Sequence, residues 1–205
     1  MMNKLLRRQT ITQDQEGLDV PPGQFVTEKF PVLTYGNTPR IDVKKWRFRG
    51  SGLVEQELVL TWEEFMAQPQ TAMNRDFHCV TQWSKLNNLW VGVQFGEVLR
   101  QIKPKPEAQY IMVHCYGGYT TNLPLDVLKE DDVMFAHQHE GKPLEEAHGG
   151  PLRLVVPSRY GWKSAKWVNG LEFMAEDKPG FWEERGYHND GDPWKEERFW
   201  PELMQ

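Results

Sequence analysis

Two segments of this 205-residue chain carry side chains that could perform chemistry together. The first reads Phe77-His78-Cys79-Val80-Thr81. A cysteine thiolate is a strong ligand for soft or high-valent metals once it has lost its proton. The second segment, residues 147–171, contains several cations and no acid (Arg153, Arg159, Lys163 and Lys166). A metal ligand and an anion-binding segment are therefore the two chemical features that the rest of the chain must position.

The basic segment stands out because the whole chain is acidic, with 29 Asp and Glu against 24 Lys and Arg. A local concentration of cations against that background indicates an anion site. Arginine offers a planar fork of donors to a phosphate, and lysine acts as a compact point charge. Gly149 and Gly150 allow the backbone to approach a ligand closely. The alternative interpretation is a solvated basic hairpin.

Other candidate ligands have simpler structural interpretations. Cys115 lies in an apolar, strand-like context, so we expect it to be a small core residue. Without regard to its neighbours, Cys79 could likewise be interpreted as a small core residue. His137 and His139 would face the same side of a strand and could bind a divalent metal. Two half-buried imidazoles are the favoured alternative, because no further Cys or His lies nearby to complete a tetrahedral site.

Composition limits the possible classes of protein. Hydrophobic residues make up 39% and charged residues 26% of the chain, which is typical of one globular domain. The net charge of −5 argues against nucleic-acid binding. Two cysteines are too few for a disulfide framework, and Arg7-Arg8 is followed by polar residues rather than by the apolar stretch of an export signal. We therefore expect a cytoplasmic protein.

Residue patterns predict a polar N-terminal arm over residues 1–20 and one domain over residues 21–205. Thr61 followed by Glu64 is a capping box that predicts a short helix to residue 68. Further helices are predicted at 96–102 and 124–128, and loops at 30–40 and 117–122. Strands are predicted at 46–50, 57–60, 75–80, 110–115, 133–136, 152–157, 164–168 and 172–175, before an irregular tail that closes over the domain. The class is α+β with mixed β-sheets and short helices.

These motifs resemble the sulfite oxidase family, which includes the catalytic subunit of the periplasmic methionine sulfoxide reductase. The run HGGPLRLVVP from His148, followed by KSAKW from Lys163, is similar to the family's molybdopterin-binding segment. The Cys79 segment resembles its molybdenum-ligating motif. Residues 118–124 resemble its substrate-side tyrosine loop, and residues 141–144 the turn before the basic segment. The resemblance spans residues 30–167 and implies the sulfite oxidase-type fold.

The resemblance implies a role for each candidate residue. Cys79 would provide the thiolate ligand to molybdenum, and Tyr119 would donate a hydrogen bond to the oxygen that is transferred. Arg159 and Lys163 could attract an anionic substrate. The residues that would bind the molybdopterin cofactor through its phosphate or ring system are His148, Arg153, Ser164, Ala165, Lys166 and, as a further candidate, Tyr35.

The implied function is a molybdenum-dependent oxidoreductase that catalyses oxygen-atom transfer. Sulfite oxidases place arginines near the metal-ligating cysteine and in the N-terminal loop, whereas this chain has Gln82 and no arginine over residues 30–36. We therefore expect reduction of an S- or N-oxide, with sulfite oxidation or a metal-free binding module as alternatives. Expected partners are a small-molecule substrate and an unidentified electron donor or acceptor, with no nucleic acid and no membrane.

Overall fold

A computed structural model describes residues 19–200, so almost all of the predicted N-terminal arm lies outside the described residues. The described chain forms β-strands and short α-helices. In order these are β1 (Phe25–Val26), β2 (Arg47–Gly52), β3 (Leu58–Thr61), α1 (Trp62–Met66), β4 (Thr71–His78), β5 (Trp83–Gln94), α2 (Phe95–Ile102), β6 (Tyr110–Cys115), β7 (Thr120–Pro124), α3 (Leu125–Leu128), β8 (Met134–His139), β9 (Lys142–Pro143), β10 (Arg153–Val155) and β11 (Val168–Met174). Within residues 19–200, no helix is both long and apolar enough to cross a membrane.

The strands form two mixed sheets, as the α+β prediction requires. The first sheet has the order β1-β5-β8-β10, with β4 paired to β5 and β9 paired to β8. The second sheet has the order β3-β2-β11-β6-β7. Pairing is parallel between β1 and β5 and between β11 and β2, and antiparallel between the other paired strands named here. Strands that are distant in sequence therefore lie side by side in both sheets.

Two hydrophobic clusters divide the interior. The larger cluster joins the two sheets: Phe48 of β2 and Phe135 of β8 have ring centroids 5.3 Å apart, and α2 packs Ile102 into the same core. The smaller cluster contains Phe77, Trp83 and Trp90 and is covered by Phe30 from the N-terminal loop. The smaller cluster supports the hairpin between β4 and β5.

Local sequence signals predicted several elements correctly. Thr61 Oγ1 accepts a hydrogen bond from the Glu64 backbone N–H at 3.2 Å, and Glu64 Oε2 accepts one from the Thr61 N–H at 2.8 Å. This capping box begins α1, as predicted. The irregular loop at 30–40, helix α2 and the buried strand β6 also agree with the prediction.

Three predicted boundaries were wrong. Strand β4 ends at His78, so Cys79 follows the strand instead of lying within it. Part of the predicted loop at 117–122 forms β7, because Thr121 and Leu123 are buried there. Residues 164–167 form no strand, since Trp167 adopts a left-handed conformation with φ of 59°. A single strand, β11, follows it.

Candidate functional site

A cavity of about 370 Å³ brings distant parts of the chain together. Its walls come from the loop at 30–35, the β4–β5 hairpin, the loop at 117–119, the basic segment and the tail at 181–187. Eight of the sequence-predicted site residues line it: Tyr35, Cys79, Tyr119, His148, Arg153, Ser164, Ala165 and Lys166. The fold thus gathers nearly all of the predicted site into one place.

Cys79 lies at the tip of the β4–β5 hairpin. Its backbone N–H donates to the Trp83 carbonyl at 2.8 Å, and its carbonyl accepts from the Gln82 N–H at 3.1 Å. Gln82 closes the turn in the left-handed region, with φ of 71°. The side chain of Gln24 adds a buried hydrogen bond to the Cys79 carbonyl at 3.1 Å. These bonds fix the backbone that presents the thiol to the cavity.

Cys79 is only 7% exposed, and its Sγ lies 3.1 Å from Thr81 Oγ1. Burial raises the pKa of this thiol, whereas the Thr81 hydrogen bonds and the charges of Arg198 and Lys166 act to lower it. The thiol is therefore protonated until a metal displaces the proton. Cys115 is 6% exposed within the large core cluster, where burial strongly raises its pKa.

Arg153 is a buried cation without a carboxylate partner among the described residues. Its guanidinium donates to the His148 carbonyl at 2.9 Å and to the Ser164 carbonyl at 3.0 Å, and its Nε has no hydrogen-bond partner. Burial lowers its pKa to about 9, so it remains charged at neutral pH. Three aromatic rings lie 5.1–5.6 Å from the guanidinium carbon: Phe30, Phe77 and Trp90.

Lys166 connects the basic segment to the N-terminal loop. Its Nζ donates to the Leu33 carbonyl at 2.9 Å, to Thr34 Oγ1 at 2.9 Å and to the Ala147 carbonyl at 2.8 Å. Burial, assisted by the positive charge of Arg153, lowers the pKa of Lys166 to about 8. A Cβ on Gly149 would lie 3.0 Å from the Arg153 Cβ and 3.1 Å from that of Lys166. Glycine at this position allows the two cationic residues to share one wall.

His148, Ser164 and Ala165 shape the same wall. The His148 ring stacks on Phe30 with centroids 4.8 Å apart, and its Nε2 lies 2.9 Å from the Phe30 carbonyl. Since a carbonyl only accepts, Nε2 carries the proton in this contact. The Ser164 hydroxyl accepts from the Val156 N–H at 2.9 Å, and the Ala165 carbonyl accepts from the Leu154 N–H. Backbone contacts therefore hold this segment rigidly against β10.

Tyr119 supplies a protonated hydroxyl to the cavity. The hydroxyl donates to the Trp162 carbonyl at 2.6 Å. Burial raises the pKa of this phenol well above its ordinary value, and the nearby Glu183 and Cys115 act in the same direction. The group is consequently a hydrogen-bond donor across the physiological pH range.

The structure corrects the predicted roles of Lys163 and Arg159, because neither residue lines the cavity. Lys163 is fully buried, and its Nζ lies 2.6 Å from Glu183 Oε1 and 2.7 Å from the Asn122 carbonyl. Its charge is therefore neutralised inside the protein. Arg159 donates to the neighbouring Ser158 carbonyl at 2.9 Å. Neither cation is positioned to attract a substrate into this cavity.

Most of the aromatic wall of the cavity was not predicted from the sequence. Phe181, Trp182 and Tyr187 of the tail line the cavity, and the exposed Tyr35 ring packs 5.2 Å from Phe181. Phe30 caps the smaller cluster. The signal in the sequence is the density of aromatic residues in the tail, which by itself predicts only a covering segment.

His137 and His139 are engaged with amide side chains. His137 Nε2 lies 2.9 Å from Gln70 Oε1, and His139 Nε2 lies 2.9 Å from Asn88 Oδ1. Burial lowers the pKa of both imidazoles, and that of His139 falls to about 4. The geometry favours the interpretation of two half-buried, neutral imidazoles.

The cavity has the charge expected for an anionic ligand. Its described lining includes Arg153 and Lys166 but no aspartate or glutamate. Arg153 Nε is an unsatisfied buried donor. A buried cation without a carboxylate partner is stabilised when an anion binds beside it. A buried thiol, two cations and the absence of acids fit a cofactor that combines a metal with a phosphate.

Residues 35–182 match the family described as the oxidoreductase molybdopterin binding domain. The chain belongs to this family. Its cofactor is molybdopterin carrying molybdenum, and a cavity lined by Cys79, Arg153 and Lys166 fits both parts of that cofactor. The sequence-based predictions of a molybdopterin enzyme family and of an α+β fold of the sulfite oxidase type are confirmed.

Individual relatives of this molybdopterin domain extend the comparison. The chain is 46% identical over 191 residues to the uncharacterized oxidoreductase YuiH of Bacillus subtilis, covering 93% of this chain and 96% of YuiH. It is 27% identical to the protein-methionine-sulfoxide reductase catalytic subunit MsrP of Campylobacter jejuni, covering 78% of this chain and 59% of MsrP. The chain thus spans little more than half of MsrP.

A solved structure shows the same fold. The sulfane dehydrogenase SoxCD of Paracoccus pantotrophus matches with a TM-score of 0.62 and 26% sequence identity. The match covers 68% of this chain and 40% of the SoxCD chain. The molybdopterin domain described here therefore corresponds to a part of that longer chain.

Proposed function

We propose that this molybdopterin-dependent oxidoreductase reduces S- or N-oxides at a molybdenum ligated by Cys79. Molybdenum held by the pterin supplies two-electron oxidation and reduction when it is bound. Overall, the oxide gains two electrons and two protons, and its oxygen leaves as water. The methionine sulfoxide reductase subunit among the relatives supports an S-oxide as the substrate class.

The observation that carries this proposal is that Arg153 and Lys166, the cations assigned to the anionic end of the cofactor, are the only lysine and arginine in the described lining, so no further cation is left for a small anionic substrate. Arg153 lies among aromatic rings and donates to two backbone carbonyls. Lys166 donates to three protein oxygens. Sulfite is a small, highly charged anion that needs several fixed cations. Gln82, which this chain has near Cys79 where sulfite oxidases place an arginine, is uncharged, is exposed and lies outside the cavity lining. An aromatic cavity is better suited to a larger and less charged oxide.

Each wall of the cavity has a role in this proposal. Cys79 binds the metal as a thiolate, and His148, Arg153 and Lys166 hold the anionic end of the cofactor. Tyr119 has a raised pKa and therefore keeps its proton. Its hydroxyl would exchange its hydrogen bond to the Trp162 carbonyl for one to the oxide oxygen. The aromatic side chains of the tail exclude water from the substrate.

Two alternatives lead to different assays. Sulfite oxidation would withdraw electrons from the substrate, and a metal-free binding module would have no turnover at all. Molybdenum-replete protein should reduce methionine sulfoxide or trimethylamine N-oxide with reduced methyl viologen, and should oxidise sulfite only weakly with ferricyanide. Efficient sulfite oxidation without oxide reduction would contradict the proposal. Metal-free protein from a molybdenum-sufficient host would support the binding module.

A conservative variant separates chemistry from cofactor binding. Tyr119→Phe removes only the hydroxyl, so we expect normal molybdenum content and a fall in kcat for oxide reduction of about 10²-fold or more. An unchanged kcat would remove Tyr119 from the catalytic residues.

The cellular setting also belongs to the proposal. We place the protein in the cytoplasm, which is supported by two free cysteines. Its substrate is a small molecule, and an electron donor must supply the reducing equivalents. The relative MsrP is named as a catalytic subunit, which implies a second chain. The expectation that this protein has no membrane partner therefore has no support.

A further inference from the structure

A second cavity, of about 340 Å³, opens on the second sheet. We call it the basic groove. It is lined by Lys45, Arg47, Arg49, Ser51, His114, Tyr116, Asn169, Gly170 and Leu171. Three of these side chains are permanent cations, and the described lining contains no carboxylate.

Strand alternation and one glycine form the groove. Arg47 and Arg49 alternate on β2 with the buried Phe48, so both arginines belong to the face opposite the core. Gly170 of β11 lies between Arg49 and His114 in the sheet register. A Cβ at Gly170 would lie 3.1 Å from the Arg49 carbonyl oxygen and 3.8 Å from the His114 Cβ. The missing side chain leaves a channel between the cationic residues.

The charges around the groove favour an anionic partner. Lys45 and Arg49 are exposed, and Arg47 donates to the carbonyls of Lys44 and Trp46. Acids lie next to the groove at two places: Glu172 Oε2 lies 3.0 Å from His114 Nε2, and hydrogen bonds with Thr61, together with the charge of Arg47, lower the pKa of Glu64. This basic face belongs to a chain whose net charge is −5. Such a contrast steers a negatively charged partner to one place on the surface.

The basic groove and the cofactor cavity share a wall. Tyr116 lines the groove, and the next residue, Gly117, lines the cavity. Similarly, Trp167 lines the cavity and Asn169 lines the groove. The Tyr116 N–H donates to the Trp167 carbonyl at 2.9 Å and joins the two strips of chain. The same two chain segments therefore line both cavities.

We propose that the basic groove is the docking site for an electron-carrier protein with a carboxylate-rich surface. The inference rests on the proposed function, because an oxide reductase must receive two electrons per turnover. Carboxylates of the carrier would pair with Lys45, Arg47 and Arg49. The carrier would deliver electrons one at a time across the shared wall, becoming oxidised as the enzyme is reduced.

The test uses the holoenzyme with two electron donors. Reduced methyl viologen is small and needs no docking site, whereas a reduced flavodoxin serves as the acidic protein donor. The groove variant is Lys45→Glu/Arg49→Glu, in which both substituted residues are exposed. The control variant, Lys105→Glu/Lys178→Glu, makes the same change of net charge at exposed positions outside the groove lining.

We expect the groove variant to lose about tenfold or more in kcat/KM for flavodoxin while keeping its methyl viologen activity. The control variant should change much less, and wild-type binding of flavodoxin should weaken at high salt. Equal losses in both variants, or no flavodoxin binding by the wild type at low salt, would overturn the docking proposal. Saturable binding of inorganic phosphate in place of flavodoxin would overturn it in favour of a small-anion site. If the wild type did not reduce the oxide with reduced methyl viologen, that result would instead contradict the proposed function.

Discussion

Cys79 and Cys115 are both buried and free, but only Cys79 lines the cofactor cavity. Cys79→Ser should keep the fold and abolish oxide reduction, because a hydroxyl is a poor replacement for a thiolate ligand. Cys115→Ser should retain turnover and lose about 1–3 kcal/mol of unfolding free energy, since its hydroxyl would lie in an apolar core. Activity assays and urea unfolding of both variants would check these outcomes. Full activity in Cys79→Ser with loss of metal in Cys115→Ser would reverse the two assignments.

Lys166 combines a structural contact with a charge in the cavity wall. Lys166→Ala removes that charge and three hydrogen bonds, so cofactor affinity should fall by about ten- to a hundredfold. Pterin content of the purified variant is the measurement. Lys142→Ala, at an exposed position on β9, is the matched control and should purify with normal pterin content. Equal pterin content in both variants would show that Lys166 holds only the N-terminal loop.

At the scale of elements, the tail is fixed to β7 by buried polar contacts. Glu183 Oε1 contacts Lys163 Nζ at 2.6 Å and accepts from Thr121 Oγ1 and Trp162 Nε1 at 3.0 Å. Glu183→Ala would leave the Lys163 charge buried and unpaired, which should cost about 3–5 kcal/mol. Asp126→Ala, which removes an exposed partner of Lys129, should cost less than about 1 kcal/mol. If urea unfolding showed similar losses of unfolding free energy for Glu183→Ala and Asp126→Ala, the buried contacts of the tail would contribute little to stability.

Strand β8 carries a pH-sensitive group in His139. Burial lowers its pKa to about 4 from an ordinary value of 6.5. Between these values the unfolded chain binds more protons than the folded chain, so stability should fall as pH drops from 6.5 to about 4. His139→Gln should flatten this part of the stability curve, which urea unfolding at a series of pH values would measure. A curve as steep as that of the wild type would assign the acid sensitivity to other groups.

Over the whole molecule, the features that could be predicted from the sequence are those that depend on a few neighbouring residues. The Thr61 capping box depends on contacts within one turn, and the Cys79 and His148 motifs are contiguous in sequence. The pairing of Lys163 with Glu183 and the tail aromatics in the cavity depend on how distant segments meet. For the same reason β5 was not predicted. It pairs with three other strands, β1, β4 and β8, and the alternation of buried and exposed residues along β5 itself is weak.

The most direct test of the central claim is X-ray absorption at the molybdenum edge of the purified protein. Wild-type protein and Cys115→Ser should show the same number of sulfur ligands to molybdenum. Cys79→Ser should show one sulfur fewer, with an oxygen or nitrogen neighbour in its place. An unchanged sulfur count in Cys79→Ser would contradict ligation by Cys79 and with it the account of this cavity as the catalytic site.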